Sequence, residues 1–178
     1  MDLWHDVPLG ENAPDEINVI VEIPKGSHNK YEIDKQTGLI KLDRANYSDA
    51  AYPVEYAFAP QTLWDDGDAL DVLVLATYPI QTGILAAVRP VALMEMIDDG
   101  ESDYKVIAVP SEDMRWDDVR DLKDLNKHTL KEIQHFFENI KKLKKKPAVT
   151  VIHGFKGKKE AADAIEKSVK LYKNKFET

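Results

Sequence analysis

The chain has 178 residues, 43% hydrophobic and 31% charged, which suits one compact soluble domain spanning residues 1–178. It has no cysteine, so disulfide scaffolds, thiolate zinc sites, iron–sulfur clusters and cysteine nucleophiles are excluded together, and a metal must be held by oxygen or histidine. With 24 Lys+Arg against 32 Asp+Glu the net charge is −8, which argues against a nucleic-acid-coating role and leaves hard cations as partners.

No stretch approaches the roughly 18 to 20 uninterrupted apolar residues of a membrane span. The N-terminal segment lacks the basic-then-apolar layout of a secretion signal. No membrane partner is therefore expected, and a cytoplasmic location is.

From residue 17 the chain reads as short strands separated by turns. INVIVE (17–22) opens the series, and KYEID (30–34) and LIKLD (39–43) follow as a hairpin whose Gly38 supplies the positive φ of a short loop. LDVLVLA (70–76), ILAAVRPVALMEM (84–96), YKVIAVP (104–110) and AVTVIH (148–153) continue the pattern, rich in β-branched residues and bounded by Gly or Pro. Many short strands suggest a closed barrel. Two helices interrupt them. From Asn126, a candidate N-cap, Leu130, Ile133, Phe137 and Ile140 recur at spacings of three and four, predicting a helix that ends near Leu143. After Gly157, Ala161, Ala162, Ile165, Val169, Tyr172 and Phe176 form a second stripe, with Asp163/Lys167 and Glu166/Lys170 as i,i+4 pairs on the outer face. The fold class is mainly β with flanking helices.

Chemistry concentrates in WDDGDALDVLVL (64–75), where an acidic loop runs into an apolar strand. Gly67 keeps Asp65, Asp66 and Asp68 from dispersing around a helix, and the strand fixes the direction of Asp71. Carboxylates so crowded repel one another unless cations intervene, and oxygen-only ligation suits Mg²⁺ or Mn²⁺. An isolated Asp-Gly-Asp also describes a solvated acidic turn. A calcium loop does not fit, because Asp71 stands where such a loop needs glycine. A second cluster, Asp98, Asp99, Glu101 and Asp103 with Lys105 following, again lies between apolar strands, and both could meet at one barrel mouth.

Cations and phenols suited to an anionic substrate are spaced through the same region: Lys30, Arg44, Tyr52, Tyr56, Lys105 and Lys141. Each alone has a structural explanation, a surface ion pair or a core aromatic. The basic run 141–146 is better explained as cations favouring a helix C-terminus than as a nucleic-acid patch. The histidines show no metal-ligand spacing, and no nucleophile motif is present.

The segment DDGDALDVLV (65–74) resembles the Asp-Gly-Asp-Pro-x-Asp signature of family I soluble inorganic pyrophosphatases. Accompanying it in order are VIVEIPKGSHNKYEIDKQTGLIKLDR (19–44), YPVEY (52–56), YPIQTG (78–83), RPVALMEMIDDGESDYKVIAVP (89–110) and HFFENIKKL (135–143), so the resemblance spans nearly the whole chain. The prokaryotic branch implies a five-stranded OB-like barrel with two principal helices, usually a cytoplasmic homohexamer. It also implies magnesium-dependent hydrolysis of pyrophosphate to two orthophosphates by in-line attack of a metal-bound hydroxide, with several Mg²⁺ per site and no covalent intermediate.

Residue by residue, the resemblance implies Asp66, Asp71, Asp98 and Asp103 as metal ligands and Asp68 as the general base. Glu22 and Glu32 match positions that hold metal-bound waters, and Tyr52 one that orients the acidic residues. Lys30, Arg44, Tyr56, Lys105 and Lys141 match phosphate-binding positions. Two positions depart from the pattern. Ala69 replaces the signature proline, and Ile140 replaces a tyrosine that donates a hydrogen bond to phosphate, which implies weaker phosphate affinity. The alternatives are an OB-like module binding single-stranded nucleic acid, against which the acidic mouth argues, and a metal-dependent hydrolase of nucleotides or polyphosphate.

Overall fold

The β-branched run at 17–23 forms the first strand, β1 (Ile17–Ile23), buried along almost its whole length. The computed structural model describes residues 1–177, and in it eight further strands follow: β2 (Asn29–Ile33), β3 (Ile40–Ala45), β4 (Glu55–Phe58), β5 (Asp71–Val74), β6 (Leu85–Asp98), β7 (Glu101–Ser102), β8 (Lys105–Pro110) and β9 (Thr150–Lys156). Two α-helices, α1 (Lys127–Asn139) and α2 (Lys158–Phe176), flank β9 in sequence.

Strands β1, β4, β5, β8 and β6 pair in that order, and β6 returns to β1, so the ring of five strands closes into an OB-like barrel. Closure removes the free edges that would otherwise invite aggregation. All pairings in the ring are antiparallel except β5 with β8. β6 serves two partners in succession, β1 through Leu85–Val88 and β9 through Leu93–Asp98. Its Pro90 is tolerated because the ladder with β8 shifts register between Pro90 and Ala92, where the missing N–H falls at an irregularity.

Alternation along the strands feeds two cores. Val72, Val74, Val106 and Ala108 join Val19 and Val21 with α2 residues Ala161, Ala164 and Ile165. Leu73, Ile107, Val109 and Met94 join α1 residues Ile133, Phe136 and Phe137. Both faces are covered, which explains why these strands read as continuous apolar runs.

The hairpin β2–β3 forms as the sequence predicts, separate from the barrel sheet, with Gly38 at φ +70°. Asn126 caps α1, its side-chain oxygen accepting from the His128 and Thr129 N–H groups at 2.9 and 3.1 Å. Three expectations are corrected. β4 is an additional strand, EYAF, which begins at the end of YPVEY and was hidden because only four residues pair. α1 stops at Asn139 rather than near Leu143, so Lys141 lies beyond the helix, bonded to Asp98. On α2, Lys167 reaches Asp65 at 2.6 Å rather than pairing along the helix, which gives a partner to an acidic residue the family pattern left unassigned.

Ile133 is fully buried between α1 and the barrel. Truncating it to Ala should cost about 2–5 kcal/mol by urea unfolding, and because α1 leads directly into Ile140 and Lys141, activity should fall at temperatures where the fold still holds.

Candidate active site

The barrel's topology brings the acidic clusters together. β5 and β8 are parallel and in register at Asp71 and Lys105, so both residues stand at the same rim. β6 runs antiparallel to β8 and ends at Asp98 on that rim. The tight turn after it, with Asp99 and Gly100 at φ +49° and +83°, returns the chain through β7 to Asp103. The Trp64–Leu70 loop enters β5 from the same side, with Gly67 at φ +87° and the Gly67 N–H donating to the Trp64 carbonyl at 3.0 Å.

Here a cleft of about 760 Å³ opens. Every candidate residue from the sequence lines it: Asp66, Asp68, Asp71, Asp98 and Asp103, Glu22 and Glu32, Tyr52 and Tyr56, and Lys30, Arg44, Lys105 and Lys141. Glu101 joins them, whereas Asp99 turns away and accepts from the Val149 N–H at 3.0 Å.

At the floor sits Lys105, only 1% exposed. Its ammonium donates to Asp71 at 2.7 Å, Asp103 at 2.9 Å and the Tyr56 hydroxyl at 2.9 Å. The Tyr56 hydroxyl donates in turn to Asp71 at 2.5 Å. Burial works against the Lys105 charge, but Asp103 and Asp71 together outweigh it and hold its pKa above the usual lysine range. Lys105 therefore stays charged. Tyr52 packs edge-on against Tyr56, with ring centroids 6.1 Å apart, and burial pushes its hydroxyl up to about 12. Its contribution is to hold Tyr56 in place.

The other carboxylates are crowded rather than neutralised. Burial, reinforced by Asp71, raises Glu22 to about 8, and the Glu22 carboxylate accepts from the Ile33 N–H at 2.8 Å. Burial, with Asp103, Asp71 and Asp68 adding to it, raises Asp66 to about 7. Asp71 is raised to about 6 by burial despite Lys105. Asp98 differs: burial is outweighed by Lys141 and by the Thr150 hydroxyl, which donates to it at 2.9 Å, so its pKa lies below the ordinary value.

On the opposite wall, hairpin β2–β3 presents cations. Lys30 donates to Glu32 at 2.9 Å and Asp43 at 3.2 Å, and Arg44 to Asp43 at 3.0 Å. The Arg44 Nε is buried without a partner, a cost that an anionic oxygen would relieve. Ile140 lines the cleft beside Lys141 and supplies no donor.

Sequence reasoning missed Lys35, which is bonded to Asp68, as well as Lys41 and Thr150. Only the first carries a readable signal, a cation in the turn of a hairpin whose strands already bear site residues.

A family-wide sequence profile described as "Inorganic pyrophosphatase" matches residues 19–173. The chain belongs to the inorganic pyrophosphatase family. It is 48% identical over 176 residues to the inorganic pyrophosphatase of Haloferax volcanii, covering 99% of both chains. It is 46% identical over 169 residues to a soluble inorganic pyrophosphatase of Oryza sativa, covering 95% of this chain and 78% of that one. The crystal structure of inorganic pyrophosphatase from Thermus thermophilus superposes with a TM-score of 0.94 at 41% identity, covering 97% of this chain and 99% of that chain. No helix among the described residues is long and apolar enough to cross a membrane.

The donor set fits the hard divalent cations expected of this family. Every acidic group at the rim is a carboxylate, no imidazole lines the cleft, and its one sulfur is the Met96 thioether, a poor ligand for a hard cation. As they stand, no three acidic or histidine side chains among the described residues close into a ligand shell, and Lys105 occupies the position between Asp71 and Asp103. One buried ammonium leaves Asp66 and Glu22 uncompensated, and added positive charge would correct that.

The raised carboxylates make a pH prediction with a definite sign. Glu22, Asp66 and Asp71 bind protons more tightly folded than unfolded, so their stabilising contribution is complete below the ordinary values of 4.5 and 3.8 and is lost as pH rises through about 6 to 8. Asp98 acts in the opposite sense, but its window lies at and below the ordinary value of 3.8. In EDTA the melting temperature should fall between pH 5 and pH 8. With Mg²⁺ the slope should flatten, because a bound cation favours the ionised carboxylates.

Proposed function

We propose that the cleft hydrolyses inorganic pyrophosphate to two orthophosphates by in-line attack of water, without a covalent intermediate. The observation that carries this reading is one cleft whose acidic rim faces a cationic wall. Carboxylates Asp66, Asp71, Asp98 and Asp103, with Lys105 and Lys141 bonded among them, share the cleft with Lys30 and Arg44 of the hairpin wall. A small polyanion accompanied by divalent cations satisfies both walls. The acidic rim alone would repel a nucleic-acid strand.

Asp66, Asp71 and Asp103 would hold the tighter metal site, and Asp98 with Asp103 the metal that accompanies substrate. Mg²⁺ bound there supplies a water of lowered pKa and neutralises the polyanion. The chain's own residues do the rest. Asp68, exposed at the cleft's edge, accepts the proton of the attacking water. Lys30, Arg44 and Lys141 bind phosphoryl oxygens and spread the charge that develops as the bridging bond breaks, and the Tyr56 hydroxyl, whose proton goes to Asp71, would join them once a cation takes over that carboxylate. Lys105 holds Asp71 and Asp103 in position, its three N–H donors going to them and to Tyr56, and it would turn toward a phosphoryl oxygen only as cations take over those carboxylates. Glu22 and Glu32 retain waters behind the ligands. The reading extends to a homohexamer of single-domain subunits in the cytoplasm.

The test is orthophosphate release from pyrophosphate with and without Mg²⁺, alongside ATP and tripolyphosphate. Release from pyrophosphate that requires Mg²⁺ supports the reading; preference for nucleotides would reassign the substrate. Asp68→Asn should lower kcat by about 10²–10⁴-fold while metal and pyrophosphate binding by calorimetry stay near wild type. Weakened binding with unchanged turnover would remove Asp68 from the base role.

Ile140→Tyr restores a donor beside Lys141. One hydrogen bond to a charged oxygen is worth about 1.5–3 kcal/mol, so the inhibition constant for orthophosphate should fall by roughly tenfold or more. An unchanged constant would mean that another group already fills that role.

A further inference from the structure

Asp68 is held in two different ways. Its backbone is fixed by a dense set of bonds: the Asp68 carbonyl accepts from the Trp64 N–H at 2.7 Å, the Asp68 N–H donates to the Asp66 carboxylate at 3.1 Å, and the Leu70 N–H donates to the Thr62 hydroxyl at 2.9 Å. Its carboxylate is 60% exposed, and among the described residues the one cation on it is Lys35, whose ammonium meets Oδ1. A rigid backbone with a free side chain leaves χ1 and χ2 unset, and a general base must be aimed as well as present.

Lys35 is itself seated. It lies in the turn of β2–β3, which is closed by the Asp34 N–H to the Leu39 carbonyl at 2.7 Å and the Gly38 N–H to the Asp34 carbonyl at 2.8 Å. The Thr37 hydroxyl and Lys41 donate to the Asp34 carboxylate at 2.7 and 3.0 Å and stiffen it further. The Lys35 ammonium stands 5.5 Å from the centroid of the Trp4 ring, within reach of a cation–π attraction. Trp4 is buried, stacks on His5 at 4.7 Å, and donates its indole N–H to the Thr62 carbonyl at 2.8 Å. Thr62 thus anchors both the platform under Lys35 and the end of the Asp68 loop. Ala69, where the family signature has proline, packs in the same cluster as Trp4.

The geometry points to Lys35 as a positioning residue for the reaction, with Trp4 as its platform. Bonded at Oδ1, Lys35 fixes the rotamer of Asp68 and leaves Oδ2 to take the proton of the attacking water. The hairpin and the N-terminal segment thereby supply from outside some of the stiffness that proline would give the loop from within. This inference rests on the reading of Asp68 as general base. It differs from a phosphate-binding role for Lys35, which would act on substrate affinity and would not require Asp68.

The experiment is a double-mutant cycle on the full chain with saturating Mg²⁺, using Lys35→Met, Lys35→Arg, Asp68→Asn and the double variant Lys35→Met/Asp68→Asn, with Trp4→Phe alongside. Lys35 is more than half exposed, so its variants should fold, and melting temperatures within a few degrees of wild type would show it. Lys35→Met should lower kcat roughly tenfold with KM within about twofold. Lys35→Arg should recover most of that loss, and Trp4→Phe should cause a smaller kcat loss. In the Asp68→Asn background, Lys35→Met should change kcat by less than about twofold, because there is no carboxylate left to aim. A raised KM with kcat unchanged, or a loss that persists in full in that background, overturns the positioning role. Undiminished turnover in Asp68→Asn alone overturns the general-base reading itself, and the two failures are thereby separated.

Discussion

The buried ammonium of Lys105 is the constraint on which the rim depends. Asp71 and Asp103 approach each other at the mouth of a closed barrel, where both side chains are largely buried, and Lys105 bridges them. Such a pair is poor at adding net stability, because desolvating three charged groups consumes most of the Coulombic gain. Removing one partner is nonetheless costly, since it strands the others. The arrangement is better understood as fixing the direction of two carboxylates than as strengthening the fold. Tyr56 completes it by donating to Asp71 while its ring lies 5.0 Å from the same ammonium.

The barrel makes this possible through its one parallel junction. In an antiparallel pair the start of one strand meets the end of the other, so the residues entering the two strands stand at opposite ends. β5 and β8 both begin at the cleft, which brings the acidic loop before β5 and the acidic turn before β8 to one rim. β6, antiparallel to β8, then contributes its last residue, Asp98. Two segments well separated in sequence thus share one electrostatic problem, with Lys105 as a partial solution and added cations as the remainder.

Much of this was legible in the chain. The hairpin could be read because Gly38 and the flanking alternation are local signals, and α1 because Asn126 caps a run of apolar residues at helical spacing. The family resemblance named the site residues, and geometry brings them all to one cleft. What escaped was set by long-range partners. Lys167 looked like half of an i,i+4 pair on α2, but Asp65, far away in sequence, is the nearer carboxylate once the helix packs. β4 was missed because four residues carry too little periodicity to stand out. α1 ends early where the backbone passes into i,i+3 turns, the Lys142 N–H donating to the Asn139 carbonyl at 3.0 Å, and where Lys141 is tied to Asp98, a long-range partner that the sequence does not display.

The two departures from the family pattern make a final argument about how a site tolerates change. Ile140 is buried with Tyr52 and Phe136 while also lining the cleft, so the residue that lost a phosphate donor gained a place in the α1 core. A tyrosine there would need its hydroxyl in the cleft and its ring in the same packing, a demand on shape that isoleucine does not make. Ala69 follows the same logic in reverse: the proline's internal stiffness is absent, and the loop is clamped instead by Thr62, Trp4 and the hairpin. In neither case is a charged group at the rim altered. The chemistry constrains the carboxylates and cations, whereas the positions that orient them answer to packing, and packing can be rebuilt from more than one direction.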